Sequence, residues 1–130
     1  MAEISRQSQR PALADVKRGA IYLVSFDPTV GHEIKKARPA LVIQNDVGNR
    51  YSPLTIVAAI TSKVSQFPYP VEVVIEATST NGLSVRSAIR LDQLRTVDRQ
   101  RLIKRLGQID RSAITDVDEA LRISLGLIGF

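Results

Sequence analysis

A chain of 130 residues is the size of one domain, since domains run to about 100–200 residues, and it can bury an ordinary core. Its 44% hydrophobic and 24% charged content is that of a soluble globular protein, with no apolar run near the ~20 residues of a membrane helix and no apolar centre of a signal peptide; an uncleaved, cytoplasmic chain is expected. The absence of cysteine excludes disulfides and thiolate metal sites, the single histidine excludes a histidine-rich zinc site, and a net charge of +5 with pI near 10.0 favours a polyanionic partner.

Residues Met1 to about Val16 lack periodicity and contain Pro11, which predicts a flexible arm ahead of a domain spanning 17–130. A first strand is expected over Ala20 to Phe26, rich in β-formers. Asp27-Pro28-Thr29-Val30-Gly31 turns the chain into a charged loop, His32-Glu33-Ile34-Lys35-Lys36, placed where binding chemistry often sits. Two apolar runs follow, Ala40 to Ile43 and Leu54 to Ile60, and read as a buried pair of strands. Between them, Asn45 to Pro53 is expected to be a loop whose Asp, Asn and Gly suit positive φ or side-chain-capped turns.

Beyond Thr61-Ser62-Lys63 a loop ends at Pro68 and Pro70, and Val71 to Ile75 is a short fourth strand with Pro70 at its start. Asn81-Gly82 marks a turn. Leu83 to Val97 mostly alternates apolar and polar, which predicts one long half-buried strand. Asp98 to Gln108 is ambiguous between a helical turn and a strand. Ile114, Val117, Leu121, Leu125 and Ile128 recur at three- and four-residue spacing, one face of a helix from about Arg111 to Leu127 with Asp110 as N-cap.

The positive charge is concentrated. Arg86, Arg90, Arg95, Arg99, Arg101, Lys104 and Arg105 face only Asp92 and Asp98 in that stretch, whereas Asp110 to Glu119 is acidic.

Several catalytic plans fail at once: there is no cysteine nucleophile, no GxSxG elbow, no GxxxxGK phosphate loop and no second histidine. What remains lies at the edges of the two central strands. Arg38 precedes Pro39 at the mouth of one, and proline holds the residue ahead of it extended. Thr61 closes the other, so the two converge on one ligand if the strands pair. Arg38, Thr61, His32 and Glu33 suit phosphodiester chemistry without a metal: an arginine fork holds a phosphate, a hydroxyl adds an oriented hydrogen bond, and a carboxylate or imidazole moves protons. RNA fits such a set better than DNA because its own 2′-OH supplies the nucleophile. Each residue also has a plainer role open to it: an ion pair from Arg38 to Asp27 or Glu33, an ordinary strand-end threonine, a solvated loop histidine.

Lys17-Arg18-Gly19 with Ile21 to Val24, then Asp27 to Glu33, Arg38-Pro39-Ala40-Leu41-Val42-Ile43-Gln44-Asn45-Asp46, Gly48 to Pro53, Ile56 to Thr61, Leu91 to Asp98 and Val117 to Leu121 together resemble the MazF/PemK toxin family. The resemblance runs in order from about Lys17 to Phe130. It implies an α+β fold with an SH3-like bent β-barrel of the plasmid-maintenance-toxin kind and a C-terminal helix, and a homodimer. It further implies an endoribonuclease that needs no metal or other cofactor, cuts single-stranded mRNA at short sequences to 2′,3′-cyclic phosphate and 5′-hydroxyl ends, and is held inactive by an acidic antitoxin.

On the family pattern, catalysis falls to Arg38 and Thr61, and RNA contacts to His32, Glu33, Ser87 and Gln93. The sequence departs from the pattern at His32, where Gly-Ser-Glu is usual, and at Arg86, where Asp is often seen. The first places a group that titrates near neutral pH beside the site; the second adds positive charge to the RNA strand. Two other functions are compatible with the same superfold: a non-catalytic toxin that binds DNA gyrase, and an RNA-binding module without cleavage. The gyrase-binding branch resembles proteins ending in Trp-Gly-Ile, whereas this sequence closes on Leu127-Ile128-Gly129-Phe130 and has no tryptophan.

Overall fold

The computed structural model describes residues 15–26, 37–67 and 69–129. Among them the elements run β1 (Ala20–Ser25), β2 (Ala37–Val42), α1 (Asp46–Tyr51), β3 (Leu54–Thr61), β4 (Glu72–Ile75), β5 (Ser87–Asp98), a 3₁₀ turn (Arg99–Arg101), β6 (Leu102–Gln108) and α2 (Arg111–Ser124). The strands form one antiparallel sheet in the order β4-β5-β3-β2-β1-β6. No helix among these residues is long and apolar enough to cross a membrane.

The central strands read as unbroken apolar runs because both of their faces are buried. On one face Ile21, Leu41, Ala58 and Ile60 join Ile89, Leu91 and the α2 residues Val117 and Ala120. On the other, Ala20, Tyr22, Val24, Ala40, Val42 and Val57 gather with Val97 and Leu102. Alternate residues of a strand point to opposite faces, so each run feeds two cores. Helix α2 covers the first; the sheet itself covers the second. Val16, placed in the arm by the sequence, is 3% exposed within that second core. The rest of the arm lies outside the described residues, apart from Asp15.

The curl follows from connectivity. β5 and β6 stand four positions apart in the sheet, yet only Arg99–Arg101 joins them. In a flat sheet, four spacings of ~4.8 Å would hold them at least about 19 Å apart. Four Cα steps reach at most about 14 Å. The sheet therefore bends until the end of β5 passes over the second core and enters β6 on the opposite edge, the bent α+β architecture expected from the sequence. No ladder joins β4 to β6 among the described residues, so hydrogen bonding between strands does not close the barrel.

A loop makes the far seam instead. The Gln108 amide donates to the Thr80 carbonyl (3.1 Å). A Cβ on Gly107 would lie 2.2 Å from Thr80 O, and one on Gly82, whose φ is +73°, 2.0 Å from Leu106 O. Both positions require glycine for close backbone approach, and Gly82 also for its left-handed conformation.

Four local readings change. Residues 46–51 are a helix rather than a loop: Asn45 accepts from the Gly48 amide (2.7 Å) as N-cap, and no Asp or Asn there has positive φ. Residues 83–86 lie outside the long strand, which begins at Ser87. The ambiguous 98–108 segment is both things, a 3₁₀ turn and then a strand. α2 stops at Ser124, short of Leu127, because Gly126 at φ +75° ends it: the Gly126 amide donates to Ile123 O (3.1 Å) and the Leu127 amide to Arg122 O (2.8 Å), a Schellman closure. Asp110 takes the N-cap position with extended backbone, without a side-chain capping bond.

Candidate active site

β2 and β3 pair as Ala40↔Ala59, Leu41↔Ala58 and Val42↔Val57. The ladder ends at Ala40↔Ala59; Arg38 and Thr61 lie two residues beyond that pair on their own strands, and so on the same face as it. Both line one open cleft of about 890 Å³. Its wall is contributed by β1 (Leu23), β2 (Arg38, Pro39), β3 (Ala59 to Thr61), the loop 82–85, β5 (Ser87, Gln93 to Arg95) and β6 (Leu106), with Phe26, Ser62 and Lys63 at the strand ends. Four of the six expected site residues, Arg38, Thr61, Ser87 and Gln93, thus share the cleft. His32 and Glu33, with the possible ion-pair partner Asp27, lie outside the described residues.

The Lys63 amide donates to Thr61 Oγ1 (3.1 Å), which fixes the hydroxyl oxygen and leaves its proton to be donated. The following loop is tied back where the Ser65 amide (3.4 Å) and hydroxyl (3.2 Å) donate to Glu72 Oε2. Ser87 is buried and its hydroxyl donates to Val85 O (2.9 Å), so its proton is already engaged. It can accept from a ligand but does not offer it a donor.

Gln93 is placed by an irregularity in β5. The ladder with β3 passes from Ala58↔Leu94 to Ala59↔Arg90, leaving Leu91, Asp92 and Gln93 as extra residues. The Leu91 amide donates to Val71 O (2.8 Å), and Arg90 grips Asp92 with two bonds, Nε to Oδ1 (3.0 Å) and Nη2 to Oδ2 (2.8 Å). That grip holds the Asp92 carboxyl below the usual carboxylate range and raises the Arg90 guanidinium. Such a bulge re-aims side chains, and here it brings Gln93 to the cleft.

The cleft is cationic. Among the described residues Arg38, Lys63 and Arg95 line it, no carboxylate does, and none of the three is ion-paired with a described residue. Lys63, Arg95 and Phe26 were not among the expected site residues. Arg95 belongs to the basic cluster legible in the sequence, but which of those seven cations faces the cleft depends on the bulge. Nowhere among the described residues do three His, Asp or Glu side chains converge as metal ligands would. A wall of donors and cations of this kind can hold a phosphodiester and stabilise negative charge on its oxygens.

Comparison with known proteins places this geometry. Residues 17–125 match the model of the PemK-like, MazF-like toxin of type II toxin–antitoxin systems. The chain is 48% identical over 115 residues to the endoribonuclease EndoA of Bacillus subtilis (strain 168), covering 88% of this chain and 98% of that one. Its fold superposes on crystalline MazF from Deinococcus radiodurans with a TM-score of 0.68 at 28% identity, over 85% and 96% of the two chains. It also superposes on a mycobacterial endoribonuclease solved with its cognate antitoxin, with a TM-score of 0.70 at 20% identity, over 88% and 99%. The chain belongs to the PemK-like, MazF-like family of endoribonuclease toxins of type II toxin–antitoxin systems.

Proposed function

We propose that this toxin cuts single-stranded mRNA by intramolecular transesterification, with Arg38 and Thr61 as the catalytic pair. The observation that carries the reading is that both line one cleft at the ends of the paired strands β2 and β3, among cations and, of the described residues, no carboxylate. Arg38 offers a fork of N–H donors and no acceptor, so it clamps the phosphate and neutralises charge on its oxygens. Thr61, its oxygen held by the Lys63 amide, donates to a second phosphate oxygen. The RNA's 2′-oxygen bonds to phosphorus as the bond to the 5′-oxygen breaks, giving a 2′,3′-cyclic phosphate and a 5′-hydroxyl. One proton leaves the 2′-OH and one reaches the departing 5′-oxygen; His32 and Glu33, just ahead of Arg38 in the chain, are the groups suited to carry them. No metal enters the scheme, in keeping with the family pattern.

Ser87 and Gln93 read the RNA, Ser87 as an acceptor. The unit is a cytoplasmic homodimer of the domain from Lys17 onward. The same cationic cleft is the surface that an acidic antitoxin segment occupies, since one positive groove attracts either polyanion.

The test is cleavage of a long defined RNA in EDTA, with product ends mapped. Cuts at one recurring short sequence, leaving 5′-hydroxyls and falling at least about 100-fold in Arg38→Ala and in Thr61→Val, are the expected result. RNA bound but uncut by the intact chain would replace this reading with a binding module.

A further inference from the structure

In the wall of the cleft the Arg95 guanidinium lies over the Phe26 ring, 5.1 Å from its centroid. Phe26 follows β1 and packs half-buried against the second core, so the ring is a fixed plate. Arg95 sits on β5 opposite Val57, is exposed, and has no acidic partner among the described residues. A structural arginine on the surface is ordinarily neutralised or solvated along its length. This one sits over an aromatic ring inside the cleft that also holds Arg38 and Thr61. A guanidinium is planar and stacks on π-faces; held over Phe26, this one is placed to offer its plane to a further ring. Leu23 and Leu106 add apolar wall to the same cleft.

From this we infer that Phe26 and Arg95 form a nucleobase-binding subsite, in which one unpaired base beside the scissile phosphate stacks on the guanidinium plane. The inference rests on the RNA-cleaving reading but concerns binding, so it can fail separately. Such a subsite selects single strands, because a base in a duplex has no free face to give. It differs from a phosphate clamp in requiring the plane of the arginine and not merely its charge.

The experiment measures binding, at one fixed salt concentration, of a labelled RNA bearing the mapped cleavage sequence with a 2′-deoxy nucleotide at the cut, and of a series in which each flanking nucleotide in turn is abasic. The intact chain should lose roughly 5- to 150-fold in affinity at one abasic position, the value of one stacked base. Arg95→Lys keeps the charge and removes the plane; it should show a loss of that size on the complete RNA and no further loss at that position. Phe26→Leu should do the same, and since Arg95 is on the surface, Arg95→Lys decides the matter even if Phe26→Leu folds poorly. Unchanged affinity in Arg95→Lys, or a loss that adds to the abasic loss at every position, would overturn the subsite. If the intact chain cuts no RNA, the comparison is made between oligouridine and an abasic ribose-phosphate chain of equal length. A preference for oligouridine that Arg95→Lys abolishes upholds the subsite even though the cleavage reading has failed; equal binding of the two overturns both.

Discussion

Asn49 is a polar side chain only 2% exposed, and every polar atom it carries is matched. Its Nδ2 donates to Gln44 O (2.9 Å) and Asp46 Oδ1 (3.3 Å), while its Oδ1 accepts from Gln44 Nε2 (3.0 Å) and from the buried Thr55 hydroxyl (2.6 Å). Removing it strands those partners out of water, so Asn49→Ala should cost about 2–3 kcal/mol, read as a lower urea midpoint at unchanged slope. Arg38 and Thr61 were legible in the sequence because they stand at the ends of two apolar runs, a one-dimensional signal that the pairing of those runs converts into a shared cleft. Asn49 was not. Its partners lie three, five and six residues away, within and on either side of a helix too short to show periodicity, and a turn-rich composition fits a capped helical turn as well as a loop. The pairing of Phe26 with Arg95 was equally invisible, since it joins residues 69 positions apart across the curl.

At the scale of elements, β5 shows how much a sequence pattern holds once its breaks are read as well as its rhythm. Leu83, Ile89 and Leu91 keep one parity, and Leu94, which packs on the same core, has the other. That slip marks the bulge. Reading 83–97 as one strand passes over it, and extends the strand into 83–86, of which Leu83 to Val85 instead form wall of the cleft. The clamp that fixes the bulge is Arg90 with Asp92, and its pH dependence has a definite sign. Asp92 is depressed by its hydrogen bond to Arg90, so its contribution to stability is present above the unfolded carboxylate value near 3.9 and is lost as pH falls below it. Asp92 and Arg90 are partly exposed, with side chains 37% and 21% accessible, which limits the pair to roughly 0.5–1 kcal/mol after solvent screening. Asp92→Asn should remove that amount at neutral pH and flatten the acid limb of stability below about pH 4, measured as urea midpoints across the acid range.

For the whole molecule, the decisive feature is that the loop after β4, at one edge of the six-stranded sheet, meets β6 at the other without a strand ladder. Their meeting depends on Gly82 and Gly107, where a methyl group would strike the backbone of Leu106 and Thr80. Backbone cannot yield as a flexible side chain does, so Gly107→Ala should destabilise by about 2–3 kcal/mol. Gly82→Ala, strained in φ as well, should do at least as much. Because Gly82 and Leu106 line the cleft, both variants should lose RNA cleavage at temperatures where circular dichroism still reports a folded sheet. The sequence indicated a turn at Asn81-Gly82 but not what it touches, since the contact is with a strand more than twenty residues onward.

The cleft draws its wall from β1, β2, β3, β5 and β6, and the last of these ends at Gln108. A chain still emerging from the ribosome, or one with β6 undocked, possesses Arg38 and Thr61 but lacks the Leu106 wall of their cleft and the edge that the loop at Gly82 packs against. On the proposed mechanism, RNA cleavage is thereby expected only after the final steps of folding, and a fragment ending before β6 is expected to cut no RNA.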